Sequence, residues 1–284
     1  MPFLLLGPVL ALLALYFLVT RDVAQTARDT KYIEQSSQLL MLSQRLAKDA
    51  REAVYGQEGA FPTLKSSRDT FDSIINNLTK GNSKLGIEPS PPEVQAALGA
   101  VSTKWKVTRG NVDQILNQEK SMVALRDRVV GINQAAPLLL ALSDEVVEAG
   151  AAAGMKPDQL YLAGRQGMLS QRIAKDVNLF AQGGAEAAVA AAQFGKDSKL
   201  FKETSLRLRE KLPASVRGKL DEATEVFNEL NTHVEGILAI AAELFVSQRA
   251  SQLVFEESDP LLEDSQKLVA AYIALDDQRQ ATKY

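Results

Sequence analysis

"MLSQRLAKD" occupies Met41–Asp49, and "MLSQRIAKD" occupies Met168–Asp176. They differ only at Leu46 and Ile173, 127 positions apart (173 − 46). At about 100° per residue, Leu39, Leu42, Leu46, Ala50 and Ala53 fall within roughly 80° of one another. They form an apolar stripe along one side of a helix. Leu169, Ile173, Val177 and Phe180 repeat that stripe in the second copy. Ser43, Arg45 and Asp49 border the first stripe, as Ser170, Arg172 and Asp176 border the second. Gln44 and Lys48, with their twins Gln171 and Lys175, point to the far side. A helical period written twice decides both the fold class and the presence of an internal duplication.

The duplication runs well beyond these segments. Gly56 matches Gly183 at the same offset, and Phe71 matches Phe201 at 130 (201 − 71). After the next loop, Val94, Leu98, Trp105, Val112, Ile115 and Leu116 match Val216, Leu220, Phe227, Val234, Ile237 and Leu238 at 122 (216 − 94). Pro137 and Pro260 then each open a "PLL" at 123 (260 − 137). The offset drifts only where Gly and Pro mark loops, as insertions do. The first repeat predicts helices near 21–55, 62–80, 92–118 and 120–150. The second predicts them near 157–182, 185–211, 214–242 and 244–277. The expected fold is all-α: a transmembrane helix over 1–20, then two tandem elongated four-helix-bundle modules over 21–151 and 152–284. Gly150–Gly154 is the expected seam, and Pro157 suits the first turn of the next helix. Pro137 and Pro260 lie inside the last helix of each repeat, so a kink or short break is expected there.

Composition narrows the function. A net charge of −3 and a pI near 5.5 argue against a general nucleic-acid binder. There is no cysteine and one histidine, His233. Disulfides, thiolate metal sites, a His-based triad and a multi-His metal site within one chain are thereby excluded. The Glu-x-x-His signature of di-iron bundles is absent, because Leu230 stands three residues before His233. Asp221-Glu222 and Asp276-Asp277 read as solvated helix faces. No enzyme activity, cofactor or metal is expected. Phe3–Thr20 carries no charge, and its eighteen residues reach roughly 27 Å as a helix, close to the hydrocarbon thickness. It lacks the basic start, short core and cleavage site of a signal peptide. No Gly or Pro lies between Pro8 and Gly56, so one rod is expected to run from the membrane into the first module.

The polar residues of the twin segments admit two roles. Arg45 and Asp49 are i,i+4 partners on a stripe border, able to set register between helices. The same groups could instead meet a ligand carboxylate, a small anion or a partner chain. Met41, Gln44 and Lys48 recur as Met168, Gln171 and Lys175 although much of the two repeats has diverged. Recurrence on the outward face points to a contact such as a second subunit, hence a homodimer.

"SQLLMLSQRLAKDA" (Ser37–Ala50) and "AGRQGMLSQRIAKDVNLF" (Ala163–Phe180) resemble the twin signatures of the PilJ-type N-terminal sensor region. That family comprises methyl-accepting transducers of type IV pilus systems. The resemblance covers nearly the whole chain. It implies a periplasmic sensor held in the bacterial inner membrane. It further implies a second membrane helix beyond Tyr284 and cytoplasmic signalling helices with their partners. Twitching motility, surface sensing and contact with pilin or a small periplasmic ligand come with it. A related Met-x-Ser-x-Arg signature occurs in nitrate-sensing histidine kinases of the NarX type. An extra arginine precedes the Met there, where this chain has Leu40 and Gly167. The alternative reading is thus an anion-sensing input domain with Arg45 or Arg172 as ligand.

Overall fold

The computed structural model describes residues 6–281, with side chains from Thr20 onward except Asp22. Eight α-helices follow one another: α1 (Leu6–Val54), α2 (Ala60–Lys80), α3 (Gln95–Asn117), α4 (Glu119–Ala152), α5 (Pro157–Gln182), α6 (Ala187–Lys211), α7 (Ala214–Ala239) and α8 (Ala241–Ala281). A short 3-10 turn, Pro92–Val94, leads into α3. The all-α expectation holds, and most boundaries fall within a few residues of those read from the sequence. The expected membrane span over 1–20 lies outside the residues whose side chains are described. Among the described residues, no single helix is long and apolar enough to cross a membrane. The α1 backbone nevertheless runs unbroken from Leu6 to Val54. α4 and α8 also run through Pro137 and Pro260 without a break, contrary to the break considered above. Proline frees only the carbonyl one turn before it, which the packing of so long a helix tolerates.

Gly56 and Gly183, matched in the repeat, end α1 and α5 with φ of 74° and 76°. That left-handed conformation is open to glycine at little cost. A Cβ at Gly56 would also strike the Met122 carbonyl, and one at Gly183 would press on the Gln248 amide at 3.0 Å.

The chain forms two compact units. One contains residues 1–50, 62–113 and 251–284, and the other contains 51–61 and 114–250. The first is therefore built from α1, α2, α3 and most of α8. The second is built from α4, α5, α6 and α7 with short ends of α1 and α8. The units do not follow the repeats in chain order: α8 groups with α1, α2 and α3, and α4 with α5, α6 and α7, so the repeats exchange their fourth helices. The joints explain why. Only Gln118 separates α3 from α4, and only Ile240 separates α7 from α8. Both adopt the same bridge-region conformation, φ −105°, ψ 16° and φ −107°, ψ 8°. One such residue bends the chain, by 59° between α7 and α8. Folding a helix back beside its predecessor takes a loop of about two to five residues. The other connections supply such reversals, down to Leu212-Pro213 between α6 and α7.

In the first unit, Trp105 of α3 stacks on Phe71 of α2 with ring centroids 4.0 Å apart. Phe227 of α7 stacks on Phe201 of α6 at the same 4.0 Å in the second unit. The matched aromatic positions thus form matched cores. Five of the six aligned pairs, from Val94 in the 3-10 turn through α3 and along α7, are buried on both sides, while Leu238 is exposed. In the second unit α4 and α6 each pack on both α5 and α7, closing a four-helix ring.

Candidate functional site

In the first copy, Leu39, Leu42 and Leu46 are buried as the stripe requires. Ser43 is buried as well, its hydroxyl donating to the Leu40 carbonyl at 2.9 Å. Arg45 and Asp49 lie 3.5 Å apart as i,i+4 partners, the arginine half exposed and Asp49 buried. Gln44, expected to face outward, donates to the Asp259 carboxylate of α8 at 3.2 Å. Lys48 is exposed, and Met41 remains 62% exposed.

The second copy is not a replica. Ser170 is fully buried and donates to the Gly167 carbonyl at 2.7 Å. Gln171 donates to the Ala136 carbonyl of α4 at 3.0 Å. Ala136 and Asp259 each precede the proline of their helix, so the two glutamines grasp equivalent points on the exchanged helices. Lys175 is exposed, and Met168 is 51% exposed. Within each unit, each motif therefore leaves one large apolar side chain mostly uncovered.

Arg172 departs furthest from its twin. It does not take Asp176, its i,i+4 neighbour, as ion-pair partner. Its guanidinium reaches Asp197 of α6 with two N–H groups, Nε at 2.6 Å from Oδ2. Asp197 is completely buried and also accepts from Gln193 at 3.0 Å. These bonds hold the Arg172 pKa above the usual arginine range. At the offset that aligns Phe71 with Phe201, Asp197 corresponds to Ser67 (197 − 130). With no carboxylate on α2 there, Arg45 has only the loose contact within its own helix. An anion at Arg172 would have to displace a buried carboxylate, so this copy is not an open anion site.

A second cluster escaped the sequence reading. Asp29 of α1 is buried, and Arg279 of α8 donates to it at 2.6 Å across 250 residues of chain. One helical turn further along α1 and two along α8, the rings of Tyr32 and Tyr272 stack 5.2 Å apart and 8° from parallel. The Ser90 hydroxyl donates to the Leu78 carbonyl at 2.6 Å, which leaves Tyr272 to donate to Ser90, also at 2.6 Å. The Tyr32 hydroxyl donates to the Glu88 carbonyl at 3.0 Å. The loop Gly81–Pro92 thus serves to close the α1–α8 seam. Separations of this size carry no local sequence signal.

Burial pushes the Tyr272 pKa up to about 12, and burial raises that of Tyr32 as well. The sign follows from linkage. A Tyr272 pKa raised in the folded state leaves its contribution intact below about pH 10, where both states are protonated. Above that, the unfolded state loses its proton first, and stability falls until the folded pKa is passed. The expected loss from this group is about 3 kcal/mol. Urea midpoints collected from pH 9 to pH 12 should show it, and Tyr272→Phe should flatten the curve. Parallel declines in the two proteins would mean that Tyr272 does not keep its proton.

Residues 23–129 match the profile of the family described as "Type IV pili methyl-accepting chemotaxis transducer N-term". Over 257 residues the chain is 30% identical to Protein PilJ of Pseudomonas aeruginosa, covering 87% of this chain and 38% of that protein. Over 262 residues it is 30% identical to AlkN of Alcanivorax borkumensis, described as a methyl-accepting chemotaxis protein, covering 89% of this chain and 37% of that one. The chain therefore spans less than two fifths of the length of these relatives.

Proposed function

Because this chain carries a PilJ-family domain over residues 23–129, we propose that it is the sensory region of a membrane-anchored transducer governing type IV pilus motility and surface sensing. It is a receptor region and not an enzyme. In this reading the two units lie in the periplasm and the apolar segment before Arg21 anchors them in the inner membrane. Two copies would associate through the exposed faces of the twin motifs around Met41 and Met168, with Gln44, Lys48, Gln171 and Lys175 beside them. Pilin or a small periplasmic ligand would supply the stimulus, and cytoplasmic signalling partners would receive the output.

One observation carries the mechanism. α1, continuous with the apolar segment, and α8, the last helix described, are clamped side by side by Asp29–Arg279 and Tyr32–Tyr272. A ligand-driven shift of one against the other is a displacement that helices can carry along their axes. The test uses the full-length receptor in its own cells. Because this region contains no cysteine, Asp29→Cys with Arg279→Cys allows α1 and α8 to be joined there by a short bis-maleimide. Joining should freeze twitching and the surface response in one state, while either single cysteine treated alike should not. A normal response in the joined receptor would refute helix displacement. A deletion strain that twitches normally would refute the pilus assignment.

A further inference from the structure

The seam between α4 and α7 holds two basic side chains that the twin motifs do not involve. Arg128 of α4 lies over Gly236 of α7, and His233 of α7 lies over Gly131 of α4. Each occupies the place a Cβ would take: the Arg128 Nε would lie 2.8 Å from a Cβ on Gly236, and the His233 Cδ2 2.8 Å from one on Gly131. Any larger residue at either position would force its visitor out. The pairings run in opposite directions, 128 with 236 and 131 with 233, so the two helices are antiparallel there. Arg128 and His233 thus cross the seam side by side, about one helical turn of roughly 5 Å apart.

Neither side chain forms a hydrogen bond or ion pair with another described residue, and the Arg128 Nε is buried without an acceptor.. A buried charged donor left unmet is costly, so the fold gains from an acceptor there. The carboxylates nearest in sequence make no ion pair with either. Asp127 and Glu229 are exposed, and Glu235 accepts from Asn231 of its own helix at 2.7 Å.

The fold does not require this arrangement. By the repeat offset, the matching positions on α8 are Ser251 and Val254 (128 + 123 and 131 + 123). Those on α3 are Asn111 and Gln114 (233 − 122 and 236 − 122). Those positions carry neither glycine nor cation, while the α4–α7 seam holds two glycines that admit an arginine and the chain's single histidine.

We propose that Arg128 and His233 form a binding site for a small oxyanion, phosphate, sulfate or carboxylate, on the α4–α7 seam. The guanidinium supplies fixed charge and a planar fork of donors. The imidazole supplies at least one N–H whichever tautomer it adopts. A tetrahedral or planar oxyanion spans a gap of one helical turn. The site is separate from the twin motifs and does not depend on which signalling protein carries this region.

The single histidine makes the test direct. The His233 imidazole resonances are followed by NMR in the full chain at pH 7.5 during titration with inorganic phosphate, against chloride at matched ionic strength. A saturable shift with phosphate and none with chloride is expected. Arg128→Gln should weaken the apparent affinity at least about tenfold, as loss of a charge-assisted pair does. Should that variant unfold, Arg128→Lys keeps the charge without the fork, and weaker but saturable binding is expected. No saturable shift in the parent protein, or an unchanged affinity in either folded variant, overturns the proposal.

Discussion

Arg172→Ala should destabilise the protein by about 3–5 kcal/mol, the usual cost of stripping the partner from a buried charge. Asp197 is completely buried, and among the described residues only the Gln193 amide donates to it besides Arg172. Urea unfolding followed by circular dichroism reads the loss. Adding Asp197→Ser, the residue that the first repeat carries at the matching position, should restore most of it, since a neutral hydroxyl needs no counter-charge. Arg45→Ala should cost less than about 1 kcal/mol, because its pair is loose, within one helix and half exposed. Equal losses at Arg45 and Arg172 would show that the two copies share one role after all.

Phe201→Ala should cost about 3–5 kcal/mol through the cavity it leaves under Phe227. Where the loss appears is more informative than its size. Hydrogen exchange should show α4 losing protection together with α5, α6 and α7, while α2 and α3 keep theirs. Phe71→Ala should loosen α1, α2, α3 and residues 251–281 of α8. Bundles closed in chain order predict the reverse assignment of α4 and α8. Cooperative units open together, so exchange reports membership directly.

The two Arg positions show how far the sequence reading reached. The stripe of Leu39, Leu42 and Leu46 was legible because apolar side chains at a 3.6-residue period have few other ways to leave water. The Trp105–Phe71 and Phe227–Phe201 cores were legible in part, since repeat alignment paired Trp105 with Phe227 and Phe71 with Phe201. Asp197 carries no signal by itself, although comparison of Ser67 with Asp197 across the repeat holds one. An acidic residue in a helix reads as solvated unless its partner is known. Gln44 faces outward as its helical position implies, but its bond to Asp259 is not legible from a single helix, which does not reveal its neighbours.

The sequence alone determined the helices, their ends, the duplication and the family resemblance. All of these depend on interactions within a turn or on comparison of one repeat with the other. Tertiary structure decided which helices pack together. Two one-residue joints, Gln118 and Ile240, turn α4 and α8 away from their own repeats, and each finds a matching groove in the other. The duplicated stripes offer a similar apolar face in each repeat. The geometry of the joints, with the ion pair Asp29–Arg279 that the packing then permits, favours the exchanged grouping.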